Sequence, residues 1–586
     1  MSKTTRAACL FLLTPLTLLA AANSYVRRDL VADQPGLAAV TDPNLINPWG
    51  VSFSATSPFW VSNAGSGTST LYNGSGTITP LVVTIPAAAG GKQGTPTGQV
   101  QNSTPAFLLA NGTKASFIFS TEDGTISGWN GGTAAAIEVN NSASGAVYYG
   151  LAIGTNAAGA PLLYAPNFTT GKIDVISGTW APTSVTGGFA DPGVPSGYAP
   201  FNIWPINGKL YVAYAKQGPL SGVAGAGTGY VSVFDFDGNL QKHLVSGGPL
   251  NAPWGMAIAP STFGAFAGDL LVGNFGDGKI NAFDPSSGAP LGTLQDTSGN
   301  ALVFPGLWAV IFGNGGSGGD RNILYITAGT GNLQHGLLSS IAPPAAITSV
   351  LNGASGATGA IAPGEVISVT GITIGPSPVV NNTIPTSGAV TRTLAGVSVT
   401  FNYGTGNSIV IPAPILSAGA SQTNVVAPFG LSGFSSTNIV VNYQGQQLTT
   451  TVPVVFTAPG IFTANSSGSG QASAFNADNT ANSSTNPAIV GSVITILATG
   501  AGPENPPGDD GAVNDRIIRT PQLPLSLTIG GQNAEVLYAG SAPGMVDGVV
   551  QVEALIPTSL AGAGAVPVVL TVYGNNSQPN VTINVK

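Results

Sequence analysis

One phrase recurs along this chain, and its recurrence restricts the fold more than anything else in the sequence. Asn47-Pro48-Trp49-Gly50 opens a segment that runs on to Trp60-Val61-Ser62-Asn63. About 200 residues later Ala252-Pro253-Trp254-Gly255 opens another, which runs on to Leu271-Val272-Gly273-Asn274. Weaker copies lie between and after them. Strand-like copies with a period near ~50 residues predict a β-propeller.

Each copy follows one template: an opening motif and apolar strand, a second strand ending in a polar residue, a Gly-rich turn, a third strand, a turn and a fourth strand. Copy one has Trp60–Asn63, Gly65, Gly67 and Leu71-Tyr72; copy two has Phe117–Ser120, Asp123-Gly124, Ile126 and Trp129. Copy three has Leu162-Leu163-Tyr164, Asn167, Gly171, Ile173 and Val175; copy four opens at Ala199–Asn202 and continues through Leu210–Tyr214 to Gly229 and Phe234. Copy five opens at Asn251–Gly255 and reaches Ile280 and Phe283; copy six opens at Phe304–Trp308 and holds Leu324–Thr327. Short β-branched and aromatic runs bounded by Gly, Asn and Asp read as strands. Six blades of four strands is the natural count. Copy six lacks an obvious fourth strand, and Tyr25–Val31 is expected to supply it and close the ring.

Composition agrees with an all-β chain. Of 586 residues only 7% are charged, against roughly 25% in an average soluble protein. Gly (82) and Pro (44) are abundant, and a hydrophobic share of 43% argues against wholesale disorder. Lys3 and Arg6 precede an apolar stretch from Ala7 to Leu19, and Ala20-Ala21-Ala22 follows. This pattern predicts a secretory signal peptide over 1–22, cut after Ala22, and an extracellular or periplasmic protein. The apolar run is shorter than the ~20 residues of a spanning helix, so no transmembrane anchor is expected. Cys9, the one cysteine, lies inside it, which leaves the mature chain without thiol or disulfide. The net charge of −8 becomes about −10 when Lys3 and Arg6 are removed. The remaining cations form no cluster, which makes nucleic acid a poor partner.

The opening phrases and the Ala252–Met256 repeat resemble a family of secreted bacterial proteins related in pattern to NHL-type propellers. The resemblance covers roughly residues 25–343. It implies a six-bladed propeller and brings no activity.

After Ala342–Ala346, read as a linker, the chain repeats itself once. Val397–Phe401 echoes Leu525–Ile529, Gln422–Pro428 echoes Gln551–Pro557, and Val440–Tyr443 echoes Leu570–Tyr573, at offsets of 128, 129 and 130 residues. Each half reads as a small β-sandwich. Val350–Ser355, Ile361–Glu365, Ala458–Phe462, Asn486–Ala488, Thr528–Gly531 and Tyr538–Gly544 resemble a C-terminal module of secreted acidobacterial proteins, which implies Ig-like or TIG-like folds. The expected organisation is a propeller over 23–343, one Ig-like domain over 344–463 and a second over 464–586.

Polar residues at equivalent blade positions meet around a propeller's axis. Asn47, Asn202 and Asn251 sit in opening motifs, and Asn63, Asn167 and Asn274 end second strands, with Glu122 near that place in copy two. Such a ring would present side-chain oxygens to a sugar or a cation. Asn also suits turn geometry for purely structural reasons. Trp49, Trp254 and Trp308 read as packing residues before they read as a stacking platform.

Asp235–Asn239 reads as a tight turn, not an EF-hand loop, because the closing Glu is missing. The acids from Glu504 to Asp515 read as a solvated loop, with a weak calcium site as the alternative. His243 and His335 are the only histidines and lie in different blades, and His335 is the one placed to serve an axial site. No cofactor is implied, and the sequence leans against an enzyme. The leading expectation is a non-catalytic binding or adhesion protein, or an envelope-associated one, for an extracellular glycan or protein. The alternative is a metal-dependent hydrolase or lyase at the axial mouth.

Overall fold

A computed structural model describes residues 23–88, 93–218, 222–513 and 517–586. The predicted signal segment and the Ala22 cleavage site lie outside them.

Up to Ala342 the chain is all-β and propeller-like. Five consecutive antiparallel sheets have four strands each, ordered as in the sequence. The first holds Pro48–Ser52, Phe59–Asn63, Thr68–Tyr72 and Ile78–Thr84; the fourth holds Tyr198–Ile206, Lys209–Lys216, Tyr230–Phe234 and Leu240–Ser246. A sixth sheet combines Leu307–Phe312, Leu324–Ala328 and Leu337–Ala342 with Val26–Ala32, which pairs antiparallel to Leu337–Ala342. The N-terminal segment thus covers an edge that would otherwise be open, and Tyr25 anchors it by stacking on Phe263 with ring centroids 4.8 Å apart.

The same local device builds the turn between second and third strands. Gly67, Gly171 and Gly278 stand just before the third strand with φ between 66 and 69°. Each donates its N–H to the carbonyl of Asn63, Asn167 or Asn274, four residues back, at 2.9–3.0 Å. Only glycine adopts this backbone without steric cost.

The first strands of successive sheets lie side by side, and that of the sixth lies against that of the first. Their approach is too close for side chains on the facing residues. A Cβ on Gly50 would sit 2.5 Å from the Thr97 carbonyl oxygen, and one on Gly255 would overlap the Trp308 carbonyl. Polar groups fasten the same seams. Thr97 Oγ1 donates to Tyr148 O (2.7 Å), Asn202 Nδ2 to Trp254 O (2.8 Å) and Thr327 Oγ1 to Trp49 O (2.6 Å).

The C-terminal part repeats one pairing scheme. Val397–Tyr403 pairs with Ser436–Tyr443 as Leu525–Ile529 pairs with Gly564–Val572. Gln422–Val426 pairs with Val366–Ile372 as Val549–Leu555 pairs with Val493–Thr499. In each half two sheets enclose one apolar core: Val369, Val425, Phe401 and Val441 in the first, Ile496, Val552, Leu527 and Leu570 in the second. The halves also join each other, through a short pairing of Gly388–Ala389 with Ala512–Val513 and a bond from Val366 N to Thr499 Oγ1 at 2.8 Å. Among the described residues no helix is long and apolar enough to cross a membrane.

Candidate functional site

The centre of the propeller-like part is filled with aromatic rings. Trp49, Tyr149, Phe201, Trp254 and Trp308 come from or next to the first strands of five sheets, and all are buried. Trp49 stacks on Trp308 at 3.4 Å and on Tyr149 at 5.4 Å, while Trp254 stands edge-on to both tryptophans at 5.9 Å. The edge-on pairs of Trp254 and the Trp49–Tyr149 stack are of the kind that contributes beyond buried area. Trp254 Nε1 donates to Tyr149 O at 2.9 Å and Trp308 Nε1 to Asn47 Oδ1 at 3.0 Å.

The asparagines expected to form a ring are engaged inside the fold. Asn63 Nδ2 donates to Thr70 Oγ1 at 2.9 Å and Thr68 Oγ1 at 3.2 Å, within its own hairpin. Asn167 Nδ2 donates to Asp174 at 3.0 Å, and Asn274 Nδ2 to Pro249 O at 2.8 Å. Asn251 Oδ1 accepts from Gly225 N at 2.7 Å. Asn63 Oδ1 and Asn274 Oδ1 are buried without a hydrogen-bond partner among the described residues.

The three opening-motif asparagines do not occupy equivalent places. Pro48 pairs with Asn63 and Pro253 with Asn274, so Asn47 corresponds to Ala252, and both have φ 47°. Asn251 lies one residue earlier. Asn202 follows Phe201 and so stands where Gly50 and Gly255 stand after their tryptophans. Glu122 likewise lies one residue beyond Thr121, which ends its strand. Burial, then the neighbouring Asp123, pushes the Glu122 carboxyl up to about 7.

A cleft of about 680 Å3 lies elsewhere, between the sixth sheet and the first C-terminal half. Arg28, Asn73, Asp320, Tyr443 and Gln446 help to line it. Asp320 Oδ1 accepts from Asn322 N at 2.8 Å, whereas Oδ2 is buried with no hydrogen-bond partner among the described residues. Burial raises the Asp320 carboxyl, and burial followed by the Asp320 charge pushes the Tyr443 hydroxyl up to about 12. Reading the sequence missed this cleft because its walls come from segments as far apart as Arg28 and Gln446.

The remaining charged features are structural or lie apart. Asp235 Oδ1 accepts from Asp237 N and Asn239 N, both at 2.9 Å, and closes the expected tight turn. Glu504 is buried rather than solvated, and burial, then Asp547, pushes its carboxyl up to about 7 against the pull of Arg519. Asp510 accepts from Phe429 N at 2.9 Å, and Asp515 lies outside the described residues. The Phe429–Asp510 bond ties the two C-terminal halves together, which a reading of the loop alone does not foresee. His335 Nδ1 lies 2.8 Å from Asp33, and His243 sits on the outermost strand of the fourth sheet. Among the described residues no three His, Cys, Asp or Glu side chains form a set able to hold a metal ion.

No family model matches the chain. The uncharacterized protein R648 of Acanthamoeba polyphaga mimivirus is 34% identical over 327 residues, covering 53% of this chain and 78% of that protein. The uncharacterized protein L690 of the same virus is 32% identical over 327 residues, covering 53% and 84%. A glucose dehydrogenase structure aligns over 54% of this chain and 98% of its own at 14% identity, but with a TM-score of 0.33 it carries no argument. The viral relatives overturn the resemblance to a secreted bacterial family and to an acidobacterial module. In this chain the phrase serves packing: a Cβ on Gly50 or Gly255 would meet the neighbouring first strand, so Trp49-Gly50 and Trp254-Gly255 mark seams between sheets and not a source organism. With more than two thirds of R648 and L690 matched at these identities, this chain belongs to the family of those two mimivirus proteins.

Proposed function

We propose that this chain is an exported binding protein in which a six-bladed β-propeller over residues 23–343 carries two Ig-like domains, 344–463 and 464–586. Its ligand is a polyhydroxylated molecule of the glycan class, held in the cleft between propeller and first Ig-like domain. The observation that carries this reading is the cleft itself: about 680 Å3, with Arg28, Asn73 and Gln446 as donors, Asp320 as a buried acceptor and the Tyr443 ring alongside. Sugars bind through such mixtures of polar groups and an aromatic face. The aromatic filling of the centre, and the engagement of the Asn47, Asn167, Asn202 and Asn251 side-chain oxygens within the fold, favour the cleft over the axis as the binding place.

The test is an oligosaccharide array probed with the full chain, followed by titration of the glycans retained. Arg28→Ala and Gln446→Ala should each weaken binding by at least about tenfold, the loss expected for a hydrogen bond to a charged or well-placed group. Retention unchanged in both variants contradicts the cleft. Export is tested separately: the N-terminus of protein recovered outside the producing cell should begin at Asn23.

A further inference from the structure

The outer edge of the fourth sheet holds a serine, a histidine and an aspartate in one hydrogen-bonded line. Leu240–Ser246 is the outermost strand and pairs antiparallel with Tyr230–Phe234. Residues three apart on a regular strand face opposite sides. Here the register shifts between the Val231–Val245 and Ser232–His243 pairs, which leaves Leu244 as an extra residue. The bulge returns His243 and Ser246 to one face, a known use of bulges. His243 Nε2 lies 2.6 Å from Ser246 Oγ, and Nδ1 lies 2.7 Å from Asp191 Oδ2.

Asp191 is held in place from several sides. Ser232 Oγ donates to its Oδ2 at 2.5 Å and Gly193 N to its Oδ1 at 2.8 Å, and its side chain is 2% exposed. Burial pushes its carboxyl up, but the bonds from Ser232, His243 and Gly193 outweigh burial and keep it below the ordinary carboxylate value. An ionised carboxylate only accepts, so the imidazole proton sits on Nδ1 and Nε2 is left to accept from Ser246. The loop closes flat on the ring: a Cβ on Gly193 would lie 2.7 Å from Nδ1, so no larger residue fits there without displacing the histidine. His243 is 27% exposed at its side chain and Ser246 is exposed, so an outside molecule reaches Oγ.

We propose that Ser246 is a nucleophile activated by His243, that Asp191 positions the imidazole, and that the chain hydrolyses short-chain carboxylic esters at this outer edge. This goes beyond the binding function and does not depend on it. In the first half, Ser246 Oγ bonds to the ester carbonyl carbon while its proton passes to Nε2. The carbon–oxygen bond to the alcohol then breaks, and the alcohol leaves with that proton. In the second half, water gives a proton to Nε2 and its oxygen bonds to the acyl carbon. Ser246 Oγ departs, recovers the proton and releases the carboxylic acid.

A neighbouring cavity of about 500 Å3 is lined by Asp191, Tyr198 and Tyr214, but by neither His243 nor Ser246. The acyl group therefore lies in the open beside Tyr230, whose ring centre is 5.8 Å from that of His243. That placement suits an acetyl-sized group carried on a larger molecule rather than a long-chain lipid.

The experiment treats the full chain with a fluorophosphonate serine probe, maps the labelled peptide by mass spectrometry, and measures p-nitrophenyl acetate hydrolysis. The label should fall on Ser246. Ser246→Ala should abolish it, and both Ser246→Ala and His243→Gln should lower the hydrolysis rate by about 100-fold or more. Asp191→Asn should lower kcat with KM little changed. Ser246 is exposed, so its alanine variant tests the chemistry without threatening the fold. Label on another residue, no label, or Ser246→Ala hydrolysing at the parent rate overturns the proposal.

Discussion

The centre of the propeller-like part and the outer edge of its fourth sheet make opposite use of the sequence. The centre is conspicuous: Trp49-Gly50 and Trp254-Gly255 stand out on a first reading, yet their side chains pack on one another, Trp254 Nε1 bonds to Tyr149 O across a seam, and Trp49 Nε1 is buried with no hydrogen-bond partner among the described residues. The outer edge is inconspicuous, and there three side chains line up with a proton relay's geometry. The difference teaches that repetition marks what every sheet must do. Chemistry particular to one sheet leaves no repeat behind.

Breaking the centre should produce the largest effect. Trp308→Ala removes a ring that touches Trp49, Trp254, Phe201 and Phe275, and should cost about 3–5 kcal/mol of stability in denaturant unfolding. A loss under ~1 kcal/mol would show that the ring cluster does not hold the sheets together.

A pH effect is expected far from both places. Glu365 is 1% exposed, its Oε2 accepts from Ala362 N at 2.6 Å, and Oε1 has no hydrogen-bond partner among the described residues. Burial pushes this carboxyl up from 4.5 to about 8, against the pull of the Ala362 hydrogen bond and the neighbouring Asn352 side chain. The folded state therefore binds a proton that the unfolded state has released. Stability from this group is complete below pH 4.5 and is lost as pH rises through about 8. The loss should be on the order of a few kcal/mol in unfolding measured across that window, and Glu365→Gln should flatten it.

Gly255→Ala sharpens the picture of the seams. Its methyl would overlap the Trp308 carbonyl, and the forced shift should cost about 1–3 kcal/mol. The same change at Gly112, with nothing near its Cβ but a φ of 78°, separates backbone strain from crowding. The smallest effect on stability is expected at the outer edge, where Ser246→Ala should change unfolding by less than ~0.5 kcal/mol.

Much of the β architecture was legible because strands and their turns are local. Val, Ile and aromatic runs end at asparagines and glycines whose conformations the turns require, as at Asn63 and Gly67. The pairing of Val26–Ala32 with Leu337–Ala342 was legible from the missing strand it replaces. The opening strands of the second and third sheets, Pro96–Gln101 and Ala152–Thr155, were not, because Thr97 and Tyr149 stand where a tryptophan was sought. Gly98 and Gly150 were the signal that remained. The alignment of Asn47, Asn202 and Asn251 failed because motif similarity does not fix register, and one residue of slip moves a side chain to the other face. Asp191 and His243 are 52 residues apart, and their meeting with Ser246 depends on a single bulged leucine that composition does not announce.

The contrast between a packed centre and a reactive edge is tested most directly by locating the serine that a fluorophosphonate probe modifies on the folded full chain. The account predicts one labelled peptide, containing Ser246, lost in His243→Gln while the unfolding midpoint holds. A label that persists in His243→Gln, or that maps to a serine near the centre such as Ser62 or Ser120, would contradict it.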